Sequence, residues 1–95
     1  MKIEASERAK EFIVEHGGNI YVWSDDVGFD HASTKRPDEI DFTAFEADGF
    51  TFHQDTTIDE PDWWKVEFHH FPHEHVTATW DGGHYGPPGL YGVTF

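Results

Sequence analysis

The stretch Trp63–Trp80 reads WWKVEFHHFPHEHVTATW, and its alternation decides the fold. Val66 and Phe68 share one side of a two-residue repeat, and Val76, Ala78 and Trp80 share one side of a second. Successive side chains of a strand point to opposite faces, so this spacing predicts two strands, each with an apolar face. They meet at Phe71-Pro72. Trp63 and Trp64, being adjacent, fall on opposite faces, so one of them belongs to the core. The stretch holds three of the four tryptophans and four of the eight histidines, and the histidines crowd the connection.

Outward from this stretch, Phe50 and Phe52 alternate with Thr51 and His53 as a further strand. Asp48-Gly49 before it is a hairpin signal, because glycine accepts the positive φ such turns need. Phe42–Glu46 pairs Phe42 with Ala44 on one face and Thr43 with Phe45 on the other. Asn19–Ser24 and His31–Thr34 also read as strands, separated by a polar loop around Gly28. Lys35–Ile40, with Pro37, is a surface connection, and Thr57–Asp62 is a turn broken by Pro61. The one helix starts at an N-cap, Ser6, with Glu7 in its first turn. Ala5, Ala9, Phe12, Ile13 and His16 recur at helical spacing, and Gly17-Gly18 ends the helix. Lys2–Ala5 opens the chain as a short strand. Asp81–Phe95, with five glycines and Pro87-Pro88, reads as an irregular glycine-rich C-terminal segment, closing with a short strand at Tyr91–Phe95. The expected fold is α+β in a single domain, 1–95. One N-terminal helix packs on a curled, mostly antiparallel β-sheet or on two small packed sheets.

Composition narrows the function. Leu90 is the only leucine, while aromatics make up 17% of the 95 residues, so the core must be built mainly from Phe and Trp. Six Lys and Arg stand against 19 Asp and Glu, a net charge of −13. That balance argues against nucleic acid, whose phosphates need basic side chains, and against anionic membranes. Solubility is one reading of the charge, and a high-salt habitat is another. No apolar run approaches the ~20 residues of a membrane span, and MKIEASERAK has no signal core, so the expected location is cytoplasmic. Without a single cysteine, the chain can make no disulfide, thiolate zinc site or cysteine-ligated iron–sulfur cluster. Nor does any serine, glycine-rich loop or carboxylate pair mark an enzyme by its motif.

The sharpest local feature is His69-His70-Phe71-Pro72-His73-Glu74-His75. Neutral imidazole is the commonest protein metal ligand. His73 and His75, two apart on a strand, would share a face and could grip one ion. His69, His70, His73 and His75, with Asp26 or another carboxylate, make a candidate site for zinc, iron or nickel. The known spacings are not met: Thr77, not histidine, stands four residues after His73, where a metalloprotease helix needs its second ligand. The competing reading is a solvated, histidine-rich hairpin end.

Two separated segments resemble the A-type iron–sulfur carrier family, also called HesB-like. That family carries Gly-Gly-Cys-x-Gly-Phe-x-Tyr after its first long strand; Ser24-Asp25-Asp26-Val27-Gly28-Phe29-Asp30-His31 keeps the Gly-Phe pair. The family ends Cys-Gly-Cys-Gly-x-Ser-Phe; Gly89-Leu90-Tyr91-Gly92-Val93-Thr94-Phe95 keeps Gly92 and Phe95. Asp48-Gly49-Phe50-Thr51-Phe52 resembles the family's Asp-Gly turn and strand, and Trp64–His69 its penultimate strand. The resemblance implies a compact β-rich domain with a helix, often a homo-oligomer. The family's three cysteines would fall on Asp26, Gly89 and Tyr91, so its cluster chemistry is not retained. What the resemblance implies instead is a non-catalytic binding or interaction domain with an unknown protein partner.

Overall fold

The structure, a computed structural model, describes residues 2–25, 27, 30–58, 63–71 and 73–80, and the backbone of 83–85. In chain order these form β1 (Lys2–Ala5), α1 (Glu7–Glu15), β2 (Asn19–Ser24), β3 (Asp30–Ser33), β4 (Phe42–Glu46), β5 (Thr51–Asp55), β6 (Trp63–His69), β7 (His75–Trp80) and β8 (Gly83–Tyr85). The strands make two four-stranded sheets, ordered β1-β6-β7-β8 and β3-β2-β5-β4. β1 runs parallel to β6 and β2 parallel to β5, and the other pairs are antiparallel. The expected α+β class holds, in its two-sheet form.

Helix α1 begins where Ser6 Oγ accepts a hydrogen bond from Ala9 N–H at 3.2 Å, satisfying one of the free donors of the first turn. It ends with Gly17 at φ +110, a conformation that costs glycine little. Gly18 N–H then returns to Ile13 O at 2.8 Å and Gly17 N–H to Val14 O at 3.3 Å, closing the last turn. Ala9 and Ile13, four apart, present the buried face.

The expected alternation is found from Trp63 to Val66 in β6, but not in β7, where His75, Val76, Thr77 and Ala78 are all buried. Trp64 is 0% exposed and Trp63 37%. Val66, Val76 and Ala78 are buried with Trp64, and they meet Ile20, Val22, Ala32 and Phe52 of the other sheet. Phe52 and Trp64 touch across the interface, ring centroids 5.1 Å apart. The Trp64 indole N–H donates to Gln54 Oε1 at 3.0 Å, so the largest core side chain brings its own polar partner.

Residues 34–41 cross from β3, at one edge of their sheet, to β4 at the other. Arg36 lays its guanidinium 5.8 Å from the Tyr21 ring centroid and 5.3 Å from that of Phe42. The outer sheet face is therefore partly roofed by this crossing.

Two expectations need correction. His73 precedes β7, so it and His75 are not alternate residues of one strand. The ladder between β6 and β7 ends at the pair His69–His75, which leaves His73 and Glu74 outside it. Gly83–Tyr85, read as irregular, pairs with β7. The neighbouring strand imposes that pairing, and glycine-rich sequence does not advertise it. The strand expected at Tyr91–Phe95 lies outside the described residues.

Candidate functional site

The first candidate is the histidine corner. Cross-strand pairing sets His69 opposite His75, with ring centroids 5.2 Å apart and planes 19° apart. His73 adds a third ring, 5.1 Å from His75. His70 does not join them; it is exposed, with its ring 5.9 Å from Phe68. Asp26 lies outside the described residues.

Hydrogen bonds leave a defined set of ring nitrogens. His75 Nδ1–H donates to His73 O at 2.7 Å, which directs the lone pair of the neutral ring to Nε2. His69 Nε2 lies 3.0 Å from Thr77 Oγ1, leaving Nδ1. The atoms that could hold an ion are thus His75 Nε2, His69 Nδ1 and either nitrogen of His73. Stacked imidazoles do not aim two lone pairs at one point, so a ring must rotate before two share an ion. Among the described residues, no group of three or more His, Asp or Glu is arranged to hold a metal. Burial pushes the pKa of His75 below 6.5, and the charges of His69 and His73 push the same way, against its bond to the His73 carbonyl.

His73, Glu74 and His75 line a pocket of about 170 Å³ closed by Phe12 and the end of β3. That is below the ~300 Å³ of ordinary organic-ligand sites, and it suits an ion with its waters.

The second candidate was not read from the sequence. A groove of about 460 Å³ runs beside β1, the start of α1 and the β4–β5 turn. Half-buried Ile3 and Ala5 supply its exposed apolar surface, with the buried Phe50 and Val66 beneath. Its rim is charged: Lys10 Nζ reaches Asp48 at 2.6 Å, and Lys65 reaches Glu67 at 3.4 Å. The hydrogen bond from Lys10 holds the Asp48 carboxyl below the usual carboxylate range. The only sequence signal was Ile3 between Lys2 and Glu4, a short strand with one apolar residue. The groove follows from strand order, which that pattern does not contain.

A third cluster closes the β2–β3 hairpin. His31 Nε2 meets Asp25 Oδ2 at 2.8 Å, and Ser24 Oγ donates to Asp30 Oδ1 at 2.6 Å. The His31 ring leans on Trp23, centroids 5.3 Å apart. These contacts tie the two strands to each other.

Among the described residues, no helix is long and apolar enough to cross a membrane. No protein-family model matches the chain, and no curated protein or solved structure matches it significantly.

Proposed function

We propose that this chain is a non-catalytic binding domain of HesB-like arrangement that engages a protein partner through the groove beside β1. The chain has no cysteine, so the domain cannot carry a cysteine-ligated cluster. The observation that carries the reading is the groove itself: about 460 Å³, apolar within and charged at its rim, the layout of a recognition site. The order strand, helix, paired glycines, strand, followed by the Asp48-Gly49 turn, supports the HesB-like arrangement. The test is two-dimensional NMR of labelled protein titrated with a library of short peptides and fragments. Shifts should cluster on Ile3, Lys10, Phe50 and Val66. Ligands that shift only residues elsewhere would sink the reading.

A second reading rests on the three imidazoles at the histidine corner: the corner takes up one divalent ion of zinc, iron or nickel. Elemental analysis of untagged protein, dialysed against equimolar metals, should find about one ion per chain. The variant H73A/H75A should retain none. An unvaried metal content would reject the corner as the site.

A further inference from the structure

β1 is an edge strand whose outer side pairs with no strand among the described residues. Ser6 N–H donates to Val66 O at 3.3 Å, toward β6. Along a strand the backbone groups of successive residues point to opposite sides, so Glu4 faces β6 with Ser6. The N–H and C=O of Ile3 and Ala5 therefore face the open side, next to the groove. Edge groups that no described strand pairs, beside a partly apolar trough, form a template for strand addition, in which the backbone supplies affinity and alternate side chains supply selectivity.

Charge selects the occupant. The chain carries −13; at the groove Glu4, Asp48 and Glu67 are each paired with one lysine, Lys2, Lys10 and Lys65. Glu7, in the first turn of α1, adds a further exposed carboxylate. A field of this sign attracts cationic segments and repels a second copy of the same chain. We infer that the open edge of β1 accepts an extended, lysine- or arginine-bearing segment of another protein as a further strand of its sheet, apolar residues alternating into the groove. This rests on the groove being the binding surface.

The probe is a fluorescein-labelled eight-residue peptide alternating lysine and valine, with two controls. One replaces lysine by glutamate, and the other is N-methylated throughout so that it cannot donate to a strand edge. Anisotropy and NMR shift mapping are read together. The lysine peptide should bind with shifts at Ile3 and Ala5, and lose at least tenfold in affinity between about 0.05 and 0.5 M NaCl. Both controls should bind at least tenfold more weakly, as should the lysine peptide to the variant E4K/E67K. Salt dependence decides the matter if that variant fails to fold. Groove shifts from the glutamate or N-methylated peptide at equal affinity overturn strand addition by a basic segment and leave the binding reading standing. Self-association of the protein through the same residues assigns the edge to a second copy and also overturns it. No groove shift from any probe removes both readings.

Discussion

Trp64 and Gln54 form a buried hydrogen-bonded pair at the centre of the interface, and they should behave as a unit. Trp64→Phe keeps most of the ring and strands Gln54 Oε1, a loss of about 1–3 kcal/mol. Trp64→Ala adds a cavity and should cost about 3–5 kcal/mol. Urea denaturation measures both, and a Trp64→Phe cost near zero would mean that water replaces the indole N–H. His75 and His53 give the residue scale a pH signature. Both are held below the ordinary 6.5, His53 by burial and the nearby Arg36 charge, His75 by burial and its histidine neighbours. The unfolded chain then binds protons that the folded chain resists, so their contribution is full above about pH 6.5 and declines as pH falls below it. The urea midpoint should drop between about pH 7.5 and 5.5, and H53Q/H75Q should show a shallower drop. Equal slopes in the two proteins would assign the effect to other groups.

At the scale of elements, the ends of α1 are the most exposed to single substitutions. Ser6→Ala removes the N-cap and should cost about 1 kcal/mol. Gly18 has φ +83 and its carbonyl accepts from Thr51 N–H at 2.9 Å, joining the helix end to β5. Gly18→Ala forces a Cβ into the left-handed region and should cost about 1–2 kcal/mol by thermal melting, with no packing clash to blame. These ends were legible in sequence because capping is local chemistry. The face of β6 was legible because period-two burial marks every second residue from Trp63 to Val66, whereas in β7 the burial of His75 and Thr77 left no apolar signal in the sequence. Strand order left no such mark. Lys2-Ile3-Glu4-Ala5 does not say that its partner is Trp63–His69, and the groove depends on that partner. Among the histidines, spacing brought out His69, His73 and His75 as neighbours. It also suggested His70, whose ring lies instead beside Phe68 two residues back, on the face opposite His69.

For the whole molecule, the excess of acid is a standing repulsion that compactness intensifies. Raising salt from about 0.1 M to about 1 M shortens the screening length from ~10 Å to ~3 Å and should relieve it. The melting temperature by calorimetry is expected to rise over that range. A flat or falling profile would show that local pairs such as Lys10–Asp48 already balance the charge where it matters.

The parallel match of Ile3 with Trp64 also has a bearing on biosynthesis. Strand β1 leaves the ribosome before its partner, which is made about sixty residues later. At about 5–20 residues per second that delay lasts roughly 3–12 s. Until then the nascent chain can cap its helix and pair β2 with β5, but one layer of the sandwich is missing and Phe52 faces solvent or a chaperone. Closure of the two-sheet core thus waits for emergence of the β6–β7 hairpin.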